Sequence, residues 1–169
     1  MSSSNGNGDI TQASLGSRKE GLDSTESLES FEHARVRDAR ITMGELEYKI
    51  IERLDDYKKN GVPEKYLFAV VGENGDVVCV CDTFRIVTRL NSGEELFKFK
   101  VGFFKNVVVK EGVIHKSDVW SNFDSLGFSI KKVGWLNYEL SFDPSKLDRD
   151  SAIGMAAVIY TAAKWSPHS

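Results

Sequence analysis

Near the middle of the chain, two apolar runs flank a short polar turn in residues 66–82, YLFAVVGENGDVVCVCD. The turn contains Asn74-Gly75, and an Asn-Gly pair between two such runs is the strongest short-range signal for a β-hairpin. We therefore expect antiparallel strands at 66–72 and 76–82. Alternating or apolar patterns predict further strands at 33–43, 84–90, 96–109, 128–133 and 135–142, with a bulge at Gly102 in the longest of them.

Three helices are predicted around these strands. Residues 44–59 follow a capping-box pattern, Thr42 with Glu45, and carry an apolar stripe at helical spacing: Leu46, Ile50, Leu54 and Tyr57. A short helix is expected at 117–126, and an almost wholly apolar helix at 150–165 that is too short to span a bilayer. No regular strand–helix–strand alternation is present, so the predicted fold class is α+β with a mainly antiparallel sheet.

The chain has 169 residues, of which 41% are hydrophobic, and this suits one compact domain. Residues 1–32 differ in composition, because they are rich in Ser and Gly and hold two basic against six acidic residues. Such a segment buries too little apolar area to offset its conformational entropy. We therefore expect a disordered acidic tail at 1–32 and a single globular domain at 33–169.

The sequence also indicates in which cellular compartment the protein is expected. No apolar run is long enough to span a bilayer, and the first residues lack the basic and apolar regions of a signal peptide. The two cysteines, Cys79 and Cys81, are separated by one residue and cannot form a disulfide framework. We expect a cytosolic, reduced protein without an attached lipid.

No sequence pattern indicates catalysis. The chain has no dinucleotide-binding, Walker, nucleophile-elbow or zinc-protease motif. His115, Ser117 and Asp118 include the side chains of a catalytic triad, but all three lie within four residues, which suits a triad poorly. Cys79 and Cys81 would supply two of the four ligands of a structural zinc ion. We therefore expect no enzymatic activity, no cofactor and no metal.

The clearest functional signal is a lysine cluster. Residues 96–132 hold seven lysines and three acidic residues, interleaved with aromatic residues, although the whole chain has a net charge of −3. A solvated strand face would explain this pattern, and so would a surface for the phosphates of RNA or of anionic lipids. The candidate contact residues are Lys98, Lys100, Lys105, Lys110, Lys131 and Lys132, together with Arg35 and Arg37. The larger apolar residues of this region are expected in the core: Trp120, Leu126, Ile130 and Trp135.

The stretch from Ser117 to Phe142 resembles the end of the folded core in rhabdovirus matrix proteins. It combines a short predicted helix with LGFSIKKVGW at 126–135 and a last apolar strand. The predicted strand ending at Met43, the helix at 44–59 and the strand at 66–72 follow the order of that core. The expected disordered N-terminal tail and the chain length are similar to those of the small matrix proteins of plant-infecting, cytorhabdovirus-type members, although matrix proteins are commonly basic and this chain is acidic overall.

This resemblance implies a non-enzymatic structural protein of the virion that takes part in budding. Such a protein self-associates, condenses the viral ribonucleoprotein and links this nucleocapsid to the cytoplasmic face of host membranes as a peripheral protein. RNA is a further partner to consider. Two alternatives remain open: a small nucleic-acid-binding protein such as a viral RNA-silencing suppressor, and a small enzyme with a polar pocket built from Cys79, His115 and Asp118.

Overall fold

The structure, a computed structural model, describes residues 30–165. The strands are β1 (Glu32–Arg37), β2 (Arg40–Met43), β3 (Leu46–Ile51), β4 (Phe68–Gly72), β5 (Val77–Cys81), β6 (Ile86–Thr88), β7 (Glu95–Lys100), β8 (Val107–Lys110), β9 (Val113–Lys116), β10 (Phe128–Gly134) and β11 (Asn137–Phe142). The helices are α1 (Leu54–Asn60) and α2 (Arg149–Lys164), and a 3₁₀ turn covers Asp124–Leu126. The predicted α+β class with a mainly antiparallel sheet is confirmed.

All of these strands belong to one antiparallel sheet in the order β10-β11-β1-β2-β3-β4-β5-β6-β7-β8-β9. From β1 to β9 each strand pairs with the next one along the chain. The last hairpin joins the opposite edge because β11 pairs with β1, from Glu32 opposite Phe142 to Arg37 opposite Asn137. The sheet therefore ends in β9 and β10, which residues 117–127 connect.

The inner face of the sheet packs around α2. Inward side chains from both halves of the sheet form one apolar cluster with this helix, for example Val36, Val70, Phe97 and Ile130. Within α2, residues 151–158 are all buried. Since strands from both halves of the sheet reach the same helix, the sheet must curve around it.

Close packing of α2 depends on small side chains. A Cβ atom at Gly154 would lie 3.1 Å from the Phe97 ring and 3.2 Å from the Val87 side chain. The Asp148 side chain caps the helix by accepting a hydrogen bond from the Ser151 backbone N–H at 3.0 Å. The helix predicted at 150–165 is confirmed, with its start at Arg149.

Helix α1 covers the outer face of β3, β4 and β5. Tyr57 and Val62 pack there against outward side chains of those strands in a second apolar cluster. The Tyr57 hydroxyl donates a hydrogen bond to the Tyr66 carbonyl at 2.9 Å, and burial is the main cause that raises the pKa of Tyr57 to about 12. This part of the sheet is therefore covered on both faces.

The hairpin around Asn74-Gly75 is confirmed, and β4 and β5 lie close to their predicted bounds. The segments before it differ from the prediction. The expected strand 33–43 is the hairpin β1–β2, whose turn residues Asp38 and Ala39 have positive φ angles of 53° and 60°. Because the chain reverses here, β1 has a hydrogen-bonded neighbour on each side, β2 on one side and β11 on the other.

The prediction of a helix at 44–59 is wrong for the first half of that segment. Residues 46–51 form β3, and only Leu54–Asn60 is helical. Gly44 has a φ of 60° and lies in the turn that places Leu46 opposite Met43. Pairing of β3 with both β2 and β4 outweighs the local helical pattern, and Leu46 of the expected apolar stripe is exposed.

Two more predicted elements need correction. The strand expected at 96–109 is interrupted by a loop at 101–106, so Gly102 lies in that loop and not in a bulge. The helix expected at 117–126 shrinks to the 3₁₀ turn, because the Asp118 carboxylate accepts the Trp120 and Asn122 backbone N–H groups at 2.8 and 2.9 Å. Such local side-chain bonds compete with helix formation.

Leu126 and Ile130 are core residues as expected, but Trp120 and Trp135 are 76% and 72% exposed, so their prediction as core residues is wrong. The predicted acidic tail, apart from its last residues, lies outside the described range. Between residues 30 and 165, no helix is long and apolar enough to cross a bilayer.

Candidate functional site

The antiparallel strand order places the connections alternately at two ends of the sheet. One of them, which we call the loop end, holds the turns at 38–39, 82–85 and 135–136 and the loop at 101–106. The opposite end holds the turns at 44–45, 73–76, 89–94 and 111–112. Helix α2 starts at the opposite end and finishes at the loop end, where the Trp165 indole N–H donates to the Glu52 carboxylate at 2.9 Å.

The loop at 101–106 presents two adjacent aromatic side chains to solvent. Phe103 and Phe104 are 93% and 73% exposed, and their rings meet edge to face with centroids 4.5 Å apart. Gly102 allows this loop to turn, since a Cβ atom there would lie 1.9 Å from the Lys105 carbonyl oxygen. The tight backbone approach therefore determines where the two rings are held.

A second loop at 117–122 lies beside the first and is hydrogen-bonded to it. The Asn106 backbone N–H donates to the Ser117 hydroxyl at 2.8 Å, and the Asn106 side-chain amide donates to the Ser121 hydroxyl at 2.7 Å. In return, the Ser117 N–H donates to the Asn106 carbonyl at 2.9 Å. We call residues 101–106 and 117–122 together the loop pair.

Asp118 holds the second loop rigid. Hydrogen bonds to its carboxylate, first of all from the Asn122 backbone N–H, lower the pKa of Asp118 below its ordinary value. The Asn122 side-chain oxygen accepts the Ile130 N–H at 2.8 Å, which fastens the loop to β10. Val119 and Trp120 are left exposed at the tip. With Val101, Phe103 and Phe104 of the first loop, the loop pair thus presents five exposed apolar side chains on an ordered backbone.

The predicted contact residues fall into three groups. Lys98 and Lys100 alternate with the buried Phe97 and Phe99, so they lie on the outer face of β7, and Lys105 is exposed within the loop pair. Lys116, at the end of β9, is also exposed and adjoins the second loop. The structure therefore gathers Lys100, Lys105 and Lys116 around the exposed aromatic residues.

A second group lies on the outer face of β1 and β10. Arg35 forms an ion pair with Glu139 at 2.7 Å, and Arg37 lies 3.6 Å from the Asp38 carboxylate. Lys131 is exposed and sits opposite Glu139 in the β10–β11 register. Carboxylates on neighbouring residues partly neutralise this group.

The last two predicted residues lie on the inner face of the sheet. Lys110 is only 13% exposed and its ammonium is 3.1 Å from the Asp148 carboxylate, so it serves the fold and does not belong to the exposed lysine surface. Lys132 is exposed, and it follows Phe128 and Ile130 at alternate positions of β10. It faces Tyr138 across the β10–β11 pair.

The residues considered for catalysis or metal binding have separate environments. Cys79 is fully buried in the core, and burial is the main cause that raises the pKa of its thiol. The His115 ring lies 2.7 Å from the Ser125 hydroxyl, and burial followed by the Lys110 charge lowers the pKa of His115. In the described part of the chain, no three His, Cys, Asp or Glu side chains gather in a group able to hold a metal ion.

An open cavity of about 670 Å³ lies beside the loop pair. Its walls come from the end of β7, the inner face of β10–β11 and the last turns of α2. The apolar lining residues include Phe99, Ile130, Tyr138 and Ile159, and Trp120 lies at its edge. The cavity is therefore continuous with the exposed surface of the loop pair.

The two ends of the molecule differ in chemistry. Within residues 30–165, the exposed tryptophan and phenylalanine side chains all lie at the loop end: Phe84, Phe103, Phe104, Trp120, Trp135 and Trp165. Turns at the opposite end are dominated by acidic residues: Glu45, Glu73, Asp76, Glu94 and Glu111. The loop end is thus aromatic, with Lys100, Lys105 and Lys116 in or beside the loop pair, whereas the turns of the opposite end are mainly acidic.

The exposed aromatic residues were missed from sequence, where Phe103, Phe104 and Trp120 were interpreted as strand or helix residues. One signal was present, because two consecutive phenylalanines after Gly102 cannot both point inward from one strand. No protein-family model, curated protein or solved structure matches the chain. The resemblance to rhabdovirus matrix proteins stays a prediction.

Proposed function

We propose that this chain is a non-enzymatic, matrix-like structural protein that binds an anionic membrane surface peripherally and links it to a ribonucleoprotein. The observation that carries the proposal is the loop pair, with five exposed apolar side chains next to three exposed lysines. On this proposal the protein acts in the virion and on the cytoplasmic face of host membranes. Self-association and the ribonucleoprotein link come from the resemblance in sequence.

The apolar part of the loop pair suits the boundary between lipid and water. Clustered exposed apolar side chains on a protein surface mark interaction sites, and tryptophan is enriched at membrane interfaces. Hydrogen bonds from Asn106 and to Asp118 already order the two loops, so little conformational entropy remains to be lost on binding. Phe103 and Trp120 are therefore presented in a form ready for insertion.

The lysines in and beside the loop pair add an electrostatic contribution. A basic residue close to an anionic bilayer contributes about 1 kcal/mol, so Lys100, Lys105 and Lys116 together favour reversible attachment. In the described residues none of the three forms an ion pair, which leaves their charges available. The acidic opposite end is repelled by the same surface, and this favours one orientation of the molecule.

Flotation with vesicles tests the proposal. The protein should float with vesicles of phosphatidylcholine and phosphatidylserine and stay behind with phosphatidylcholine alone. Joint substitution Phe103→Ser and Phe104→Ser should weaken binding at least about tenfold, because two apolar side chains no longer leave water. Joint substitution Lys100→Glu and Lys105→Glu should weaken binding to the anionic vesicles as well.

Matched control variants exist on the same sheet. Val113 and Ile114 are exposed apolar residues of β9 outside the loop pair, so Val113→Ser with Ile114→Ser should leave flotation unchanged. Lys59→Glu with Lys146→Glu changes charge equally at exposed sites, because Lys59 lies beside the turn at 73–76 and Lys146 precedes α2, both at the opposite end. Equal losses in the control and loop-pair variants would contradict the proposal.

RNA binding is the second candidate function, and the same exposed aromatic side chains favour it. Bases stack on aromatic rings next to a basic surface without sequence preference, with about 1–3 kcal/mol for each base. Fluorescence anisotropy with a labelled single-stranded RNA, with and without Trp120→Ala, separates the candidates. Tight binding that depends on Trp120, together with absent flotation, would favour the RNA-binding protein.

A further inference from the structure

The cavity beside the loop pair has the size and lining of a small-molecule site. Its volume of about 670 Å³ lies within the usual range of ligand cavities. The wall is apolar where Phe99 and Ile130 face the last turns of α2, and the small residues Ala162 and Ala163 leave the space open. A hydrocarbon chain would be removed from water here on several sides.

Most polar groups at the rim of the cavity already form hydrogen bonds within the protein. The Asn106 side-chain amide donates to the Ser121 hydroxyl at 2.7 Å. The Asn122 side chain donates to the Asp118 carboxylate at 3.1 Å and accepts the Ile130 N–H at 2.8 Å. These groups shape the opening, but they leave few donors for a ligand.

On the inner face of the sheet, Lys132 and Tyr138 are the exceptions. They face each other directly across β10 and β11, and both line the cavity. Between residues 30 and 165 the Lys132 ammonium has no ion-pair partner and the Tyr138 hydroxyl has no hydrogen-bond partner. Most of the Tyr138 side chain is buried, but its hydroxyl is accessible from the cavity and is free to donate a hydrogen bond.

Comparison with Lys110 shows how unusual this arrangement is. Lys110 is also on the inner face, and its ammonium is satisfied by Asp148 at 3.1 Å, Ser151 at 2.9 Å and the Leu96 carbonyl at 3.1 Å. Lys132 also lies on the inner face of the sheet, but its ammonium has no comparable group of hydrogen-bond and ion-pair partners. The ammonium and the phenolic hydroxyl of two residues paired across neighbouring strands supply two donors that suit a carboxylate or a phosphate.

We propose that the cavity binds one alkyl chain of an anionic amphiphile, with its head group at Lys132 and Tyr138. The chain would lie along the apolar wall between Ile130 and α2, and the head group would remain at the open side. A fatty acid and an anionic single-chain lipid share this chemistry. The site does not require that the protein binds vesicles, so it is separate from the proposed function.

Titration calorimetry with the full chain tests the site, using laurate below its micellar concentration and no vesicles. We expect one laurate per chain, and binding of dodecanol or of inorganic phosphate alone at least about tenfold weaker, because each lacks one half of the recognised structure. Lysophosphatidic acid with the same chain length distinguishes the sources. Tighter binding than laurate assigns the site to a lipid head group, and weaker binding assigns it to a fatty acid.

Substitutions locate the site. Lys132→Gln and Tyr138→Phe should each weaken laurate binding, Lys132→Gln by at least about tenfold, because each removes one donor. Lys146→Gln removes an equal charge at an exposed site of the opposite end and should leave the affinity unchanged. Ala163→Phe should block the cavity, with circular dichroism as the check on folding.

Two results would overturn the proposal: no laurate binding to the parent chain, or the same affinity in Lys132→Gln and the parent. Either outcome leaves the vesicle experiment unaffected, since no bilayer is present in the titration. Conversely, a chain that binds laurate but does not float would refute membrane attachment and keep the cavity site.

Discussion

Lys110 and Lys132 show how the position of a lysine on a strand decides its role. Both lie on the inner face of the sheet, but only Lys110 meets a carboxylate and a hydroxyl, those of Asp148 and Ser151. Lys110 therefore supports the start of α2, whereas Lys132 keeps its charge at the edge of a cavity. A count of the lysines between residues 96 and 132 includes both Lys110 and Lys132, so it cannot distinguish these two roles.

Asp148 combines two tasks at the residue scale, capping α2 and binding Lys110. Burial alone would raise its pKa, but hydrogen bonds from Ser151 and Lys110 outweigh it and lower the pKa of Asp148 below its ordinary value. A carboxyl group with a lowered folded-state pKa stabilises the protein above its unfolded-state pKa. That stabilisation is lost as the pH falls through the folded-state value.

Asp148→Ala should lower the free energy of unfolding by about 1–2 kcal/mol at pH 7, after allowance for the partial exposure of the carboxylate. Asp148→Asn should cost less, because asparagine also caps helices. Urea unfolding at pH 7 and at pH 3 measures both effects. The difference between the parent and Asp148→Asn should shrink at the lower pH, and a difference that grows would contradict the assigned role.

At the scale of elements, the loop at 101–106 depends on one residue. A Cβ atom at Gly102 would lie 1.9 Å from the Lys105 carbonyl oxygen, so Gly102→Ala must rearrange the loop backbone. We expect a loss of about 1–3 kcal/mol in the free energy of unfolding. Weaker flotation with anionic vesicles should accompany it, since the Phe103 and Phe104 rings lose their position.

Asn91→Ala provides the comparison for that experiment, because Asn91 is exposed in the turn at 89–94 at the opposite end. Its unfolding free energy and flotation should both stay close to those of the parent. Normal flotation of Gly102→Ala would show that the position of the two rings is unimportant for membrane binding.

At the scale of the whole molecule, the tryptophans report on orientation. The chain has three, Trp120, Trp135 and Trp165, and all lie at the loop end. Tryptophan emission should therefore shift to shorter wavelength when anionic vesicles are added, and brominated lipids should quench it. Binding through the acidic opposite end would leave the emission unchanged.

The dependence of this emission shift on salt concentration is the second part of the prediction. Exposed charges are screened over about 8 Å at physiological ionic strength and over shorter distances above it. The emission shift should therefore decline as salt rises through and beyond this range. A shift that is independent of salt would assign attachment to the aromatic residues alone and would contradict the role of the lysines.

The candidate site was only partly predictable from sequence. The lysines were identified because a cluster of lysines can be read directly from the order of residues in the sequence. Lys100 and Lys105 do lie next to exposed aromatic residues. Exposure of Phe103, Phe104 and Trp120 was not found, since apolar residues are buried more often than not. Hydrogen bonds between Asn106 and the second loop, which bring the two loops together, join residues that are distant along the chain.

The same division holds for the fold. The hairpin around Asn74-Gly75 and the apolar helix α2 were predictable from sequence, because a short turn and a continuous apolar segment depend on neighbouring residues. That residues 46–51 form a strand and that β1 pairs with β11 depends on contacts between segments distant along the chain. In both cases the stabilising hydrogen bonds come from strands elsewhere in the sheet, and such pairing can outweigh a local helical pattern.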